Sequence, residues 1–187
     1  MWFKHPKYIV ARSNFCSEFS PWKLTYLHYY LPKVIFVCGG NDKLCPNRRI
    51  IEEYFQKHLP KILTFRAEDA WEIISQDKNA NALSLEEWLA DFSDVVVILV
   101  ESFGTVAELG AFSLSNTLRK KLLPILNASH LKDDSFINTG PIRWVDKDSK
   151  FSPSIHANFK AILTCIPEVE ERINRRTIDE LHACRNQ

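Results

Sequence analysis

Asp94-Val-Val-Val-Ile-Leu-Val100-Glu101-Ser-Phe-Gly104-Thr105-Val-Ala-Glu108-Leu-Gly-Ala-Phe-Ser113 decides how this chain folds. Its first half, Val95 to Val100, is an unbroken β-branched and aliphatic run. Such a run marks a strand covered by helices on both faces, as in a parallel sheet. Glu101 to Gly104 then forms a loop, with Gly104 permitting a sharp exit from the strand. Thr105 to about Lys120 reads as the following helix, capped by Thr105, with Glu108 in its first turn.

Upstream, Lys33-Val-Ile-Phe-Val-Cys38 is a second buried strand, ended by Gly39-Gly40. Ile50, Ile51, Tyr54, Phe55 and Leu59 recur at helical spacing after Pro46, and Pro60 closes that helix. Lys61 to Phe65 is a further strand, followed by Glu68-Asp69. Ser84 to Phe92 is a short helix opened by Ser84, with Glu87 as its capping-box partner. Downstream, Lys121 to Asn127 and Ile142 to Val145 are shorter strand candidates, and two helices flank Pro167. Strands and helices alternate from about residue 33 to 145. The expected fold is therefore a doubly wound, Rossmann- or flavodoxin-like parallel sheet of about five strands, with helices on both faces and C-terminal helices beyond. The expected organisation is an N-terminal extension over 1–32, the α/β domain over 33–146 and a helical extension over 147–187.

Composition narrows the function classes. The chain has 187 residues and a net charge of +1, from 24 basic and 23 acidic side chains. That balance supplies no bulk field for nucleic acid or a membrane surface. The longest apolar run falls far short of the roughly 20 residues that span a bilayer, and no signal peptide opens the chain. Five scattered cysteines without a C-x-x-C pair fit reduced thiols in the cytoplasm, and no histidine spacing suggests a metal site.

In open parallel sheets ligands bind beyond the carboxyl ends of the strands. Three strand ends carry candidates. Cys38, Gly39, Gly40 and Asn41 form a turn whose N–H groups could meet an anion, or a plain tight turn. Glu68 and Asp69 could accept ribose hydroxyls, Asp69 ahead of Glu68, or open a solvated helix. Arg48 and Arg49 could meet phosphate, or simply face solvent. At the third end, Glu108 could attack an anomeric carbon or stabilise an oxocarbenium-like transition state, with Glu101 binding a hydroxyl or handling a proton. The structural alternative is that Thr105-x-x-Glu108 is only a capping box. What distinguishes it from Ser84-x-x-Glu87 is its place after an apolar strand and before Gly110-Ala111, small residues suited to close helix packing. Asn138, in the turn-rich loop Ser135 to Pro141, could reach a ligand or a neighbouring protomer's site, or merely shape the turn.

Taken together, Ile35-Phe-Val-Cys-Gly-Gly40, Ala67-Glu-Asp69, Ser84-Leu-Glu86, Asp94-Val-Val-Val-Ile-Leu99, Glu101-Ser-x-Gly-Thr-x-Ala-Glu-Leu-Gly-Ala-Phe-Ser113 and Ser135-Phe-Ile-Asn-x-Gly-Pro141 resemble the nucleoside deoxyribosyltransferase-like effectors of bacterial retron anti-phage systems. The resemblance runs over about residues 33 to 146. Gly104-Thr105-x-x-Glu108 is also similar to a motif of lysine-decarboxylase-like nucleotide phosphoribohydrolases. The resemblance implies a transferase or hydrolase of N-glycosidic bonds, acting on a nucleoside, a nucleotide or NAD without a further cofactor. Glu108 is then the implied nucleophile, with Asp69 and Glu101 orienting the sugar. Cys38, Gly39, Gly40, Asn41, Glu68, Ser102, Gly104, Thr105 and Asn138 are the implied binding residues. It further implies a toxic role in defence, a homo-oligomer, and a reverse transcriptase with its RNA-linked DNA as partners. Such effectors commonly continue into a C-terminal winged-helix part, whereas this chain ends about 40 residues after the matched region. A nucleotide-sensing module without turnover stands as the alternative, as does a phosphoribohydrolase of nucleoside monophosphates.

Overall fold

The computed structural model describes residues 33–69 and 81–174. The expected N-terminal extension, and the end of the expected C-terminal one, lie outside them.

Five strands form one sheet: β1 (Lys33–Cys38), β2 (Ile62–Phe65), β3 (Val95–Val100), β4 (Leu122–Asn127) and β5 (Ile155–Ala157). Every pairing is parallel and the spatial order is β2-β1-β3-β4-β5. The strand order reverses between β1 and β3, which makes that the switch point of a doubly wound sheet. The helices are α1 (Asn47–His58), α2 (Ala82–Phe92), α3 (Phe103–Leu114) and α4 (Arg143–Asp148), and residues 166–174 are helical as well.

Alternation along each strand explains the two layers. Ile35, Val37, Val95, Val97 and Leu99 bury one face against Ile51 and Phe55 of α1 and against Ile166, Val169 and Ile173. Phe36, Cys38, Val96 and Ile98 bury the other against Ala90 of α2, Leu109 and Phe112 of α3 and Val145 of α4. Each of Val95 through Leu99 is fully buried, so β3 shows no polar alternation because neither face meets water.

Several local expectations are corrected. Ile142 to Val145 is not a strand. Asn138–Ile142 forms a π-turn that runs into α4, with Ile142 and Val145 buried and Arg143 and Trp144 outside. Two apolar residues three apart fit one helical face, and a four-residue run cannot separate that from a short strand. The fifth strand is instead Ile155–Ala157, beyond residue 146, and too short to show a period. Pro167 does not separate two helices; it sits in the first turn of the helix over 166–174, where a missing N–H is tolerated. Helix α2 begins at Ala82 rather than at Ser84. The Asn81 carbonyl accepts the Leu85 N–H at 3.0 Å, so Ser84 lies inside the first turn and cannot cap it.

Candidate active site

The register of the sheet builds the site. Cys38, the last residue of β1, pairs with Ile98, so β3 runs on through Leu99 and Val100 and carries Glu101 over the end of β1. There Glu101 Oε1 accepts the Gly40 N–H at 3.3 Å and Oε2 accepts the Asn47 amide at 2.9 Å. The anion met by the glycine turn is thus the chain's own carboxylate. Glu101 binds the β1–α1 loop and the start of α1 to the end of β3.

Both glycines are required by proximity, since no glycine among the described residues has a positive φ. A Cβ on Gly39 would fall 2.5 Å from Arg48 Cβ, and one on Gly40 would fall 2.6 Å from Cys45 Cβ. Gly104 and Gly110 differ. Gly104 is the second residue of α3 rather than the exit turn, and a Cβ there would make ordinary contacts at 3.7 and 3.9 Å. A Cβ on Gly110 would meet nothing described within 4 Å, so no close packing of α3 against the described residues depends on it.

The cap of α3 is Ser102, not Thr105. Ser102 Oγ accepts the Thr105 N–H at 3.2 Å, and Thr105 Oγ1 accepts the Ser102 N–H at 3.0 Å. Thr105 Oγ1 also accepts the Glu101 N–H at 3.1 Å and donates to the Ser102 carbonyl at 2.9 Å. This reciprocal pair is a complete capping box without Glu108, which lies one turn further along α3.

Glu108 instead faces a cavity of about 390 Å³ at the carboxyl end of β1. Phe36 to Gly39 form its floor, and Ala67 and Glu68 bound it after β2. Ala82, Leu85 and Glu86 of α2, Arg48 of α1 and Glu108 of α3 complete the described lining. Glu108 Oε2 is buried and has no hydrogen-bond partner. Burial raises the pKa of Glu108, with Glu68 adding to the rise, while the Cys38 thiol and the Arg48 charge work against it. The Cys38 thiol is itself pushed well up, first by burial and then by Glu108, so it stays protonated and can serve as a donor.

Glu86 is the residue that the sequence reading left out of the site. Burial, then the charges of Glu108 and Glu68, push its pKa up to about 7. The cavity therefore holds one carboxyl that carries a proton near neutral pH and a second, Glu108, without a hydrogen-bond partner at Oε2. Glu86 could have been found from the i, i+3 and i, i+4 neighbours of α2, because Leu85, Leu89 and Ala90 pack inward beside it. Of the two arginines of α1, left open between phosphate contact and solvent, only Arg49 faces solvent. Arg48 is 4% exposed and donates to both Glu68 oxygens, at 3.1 and 2.8 Å, whereas Arg49 pairs with Glu53 on the surface.

Asp69, Asn41 and Asn138, also expected in the site, are not among the residues that line the cavity. Asp69 Oδ2 accepts the Arg66 N–H at 3.2 Å, closing the helical turn over 67–69, so Glu68 and not Asp69 reaches the cavity. Asn41 Oδ1 accepts the Lys43 N–H at 3.0 Å and shapes the β1–α1 loop. The Asn138 amide donates to the carbonyls of His130 and Asp133 at 2.9 and 2.8 Å, and so shapes its own loop. Among the described residues no group of three or more metal-ligating side chains converges, and no helix is long and apolar enough to cross a membrane.

The chain is similar to known proteins. Residues 44–186 match the family model described as "STM3845 retron effector protein". Two Escherichia coli relatives are similar. "Retron Ec73 putative ribosyltransferase/DNA-binding protein" is 34% identical over 126 residues, covering 64% of this chain and 40% of the relative. "Retron Ec86 putative ribosyltransferase/DNA-binding protein" is 34% identical over 132 residues, covering 70% of this chain and 40% of the relative. The matched part thus spans about 40% of the length of these curated relatives. With three-quarters of its length on the family model, the chain belongs to the STM3845 retron effector family.

Proposed function

We propose that this chain is an N-glycosidic-bond enzyme of retron defence, acting on a nucleoside, a nucleotide or NAD, with Glu108 as nucleophile. The observation that carries this reading is that Glu108 is free of the helix cap and lines the switch-point cavity, with one carboxylate oxygen buried and unpartnered. The ribosyltransferase named in the descriptions of both Escherichia coli relatives supports the same bond class.

The step balances as follows. A Glu108 oxygen forms a bond to the anomeric carbon while the C–N bond breaks, its electron pair leaving with the base. Glu86, protonated near neutral pH, gives its proton to a leaving base that needs one. Water or a second base then attacks the anomeric carbon and displaces Glu108. The proton of the incoming group goes to Glu86 where Glu86 gave its own to the leaving base, and to solvent where the base left without one. Glu101 acts indirectly, by holding Gly40 next to the Gly39 that lines the cavity, and Asp69 by fixing the chain segment that presents Glu68.

The reading extends to a toxic effector, assembled as a homo-oligomer and restrained by a reverse transcriptase with its RNA-linked DNA; membership of a retron effector family supports association with a retron system. Chromatography of purified protein with nucleosides, nucleotides and NAD tests the chemistry. Free base or nicotinamide should appear with wild type and not with Glu108→Gln. Wild-type turnover by that variant would remove the mechanism.

A further inference from the structure

Beside the cavity lies a charge network with one carboxylate more than it needs. Arg66 pairs with Glu52 and, at 2.8 Å, with Asp42. Arg48 Nη2 lies 3.6 Å from Asp42 Oδ1. Among the described residues the two guanidinium groups are already balanced by Glu52 and Asp42, and Glu68 is the surplus charge.

Its exposure differs from that of its partner. The Arg48 side chain is 5% exposed and that of Glu68 is 61% exposed. Arg48 is also locked at its stem, because Gly39 leaves room for it and nothing more. Its Nε is buried without a hydrogen-bond partner. The cavity wall therefore holds a fixed guanidinium whose bidentate counterion stands half in water. Burying that guanidinium alone would be costly, which accounts for its pairing with Glu68. An ion pair with so exposed a member is weak enough to exchange.

We propose that Arg48 anchors a phosphate group of the substrate, Glu68 swinging out as the phosphate enters, so that the site takes nucleoside phosphates in preference to free nucleosides. A phosphate presents the same paired oxygens to the guanidinium fork as a carboxylate does, with more charge. The geometry also separates functions: the cation stands on α1, and the carboxylates of Glu86 and Glu108 stand on α2 and α3. This inference rests on reading the cavity as the glycosidic site.

The test is calorimetric titration of the full chain carrying Glu108→Gln, so that binding is read without turnover. The probes are adenosine, adenosine 5′-monophosphate and NAD. At least one phosphorylated ligand should bind at least about tenfold more tightly than adenosine, a 1.4 kcal/mol difference. NAD binding without monophosphate binding would assign a dinucleotide, and the reverse a mononucleotide. Adding Arg48→Gln should erase the preference, and adding Glu68→Gln should increase it, strengthening the phosphorylated ligand relative to adenosine. The second variant alters an exposed side chain, so it decides the matter even if loss of Arg48 unfolds the protein. Equal binding of adenosine and both phosphorylated ligands, no binding of any, or a preference untouched by these substitutions would overturn the inference. Base release from free nucleosides with equal binding would leave the glycosidic reading standing and remove this one. Phosphate-selective binding with no turnover by the wild type would do the opposite.

Discussion

Glu86 of α2 and Glu108 of α3 line the same cavity, and the charge of Glu108 is one of the causes that hold Glu86 protonated up to about pH 7. The two carboxyls reach it by unlike routes. Glu108 is delivered by β3 and the Ser102 cap, Glu86 by a helix that packs from the side of β2. Two carboxyls whose environments differ in this way are suited to nucleophile and acid.

The pair gives a signed pH dependence of activity. Glu108 must be ionised, and its raised pKa places the acid limb above the ordinary carboxylate range. Glu86 must carry its proton, so activity should fall as pH rises through about 7. A bell-shaped kcat profile is expected for neutral leaving bases. Glu86→Gln should flatten the alkaline limb and lower kcat by roughly 10²-fold or more.

Stability should follow the same protons. The folded-state pKa of each carboxyl lies above its unfolded value, so each contributes stability that is complete below the unfolded pKa of about 4.3. That contribution is lost as pH rises through the folded value, about 7 for Glu86. Glu86→Gln should therefore melt above the wild type at pH 8, by on the order of a few degrees, and match it at pH 4. Equal melting at pH 8 would show that Glu86 is not held protonated by the fold.

Cap and nucleophile should separate by mutation. Ser102→Ala removes the acceptor for the Thr105 N–H and should cost about 1 kcal/mol in denaturant unfolding. Glu108→Gln should leave unfolding at neutral pH unchanged or improved while ending turnover. A loss of stability in Glu108→Gln as large as that in Ser102→Ala would return Glu108 to a capping role.

The glycines should divide by their surroundings. Gly39→Ala forces a Cβ to 2.5 Å from Arg48 Cβ, and Gly40→Ala to 2.6 Å from Cys45 Cβ. Each should cost about 1–3 kcal/mol by overpacking. Gly110→Ala, in open space within α3, should stabilise by about 1 kcal/mol. Thermal melts of the three variants check the order.

Much of this architecture was legible in the residues. The unalternating Val95 to Val100 run announces a strand buried on both faces, and the Gly39-Gly40 turn marks the carboxyl end of β1. Glu108 was legible as a candidate through its position after β3. What the sequence hid is tertiary. Nothing local tells that Ser102, rather than Thr105, caps α3, because both are hydroxyl residues at acceptable spacing. Arg48 and Arg49 are adjacent and chemically identical, yet one is buried over Gly39 and the other exposed. Glu101 and Asp69 are acidic residues at strand ends, and only the fold shows their oxygens turned to backbone and Asn47. Strand β5, three residues long, has no pattern of its own and forms because β4 offers it an edge.

The most direct test of the central claim is the mass of the protein during turnover. A nucleoside or nucleotide with fluorine at the sugar 2′ position slows both steps by destabilising positive charge at the anomeric carbon, and a good leaving base restores the first. Denaturing quench and peptide mapping should then find one sugar attached to the peptide that carries Glu108, absent in Glu108→Gln. Base release by the wild type with the sugar on another residue, or with no adduct at any time and full activity in Glu108→Gln, would contradict the account.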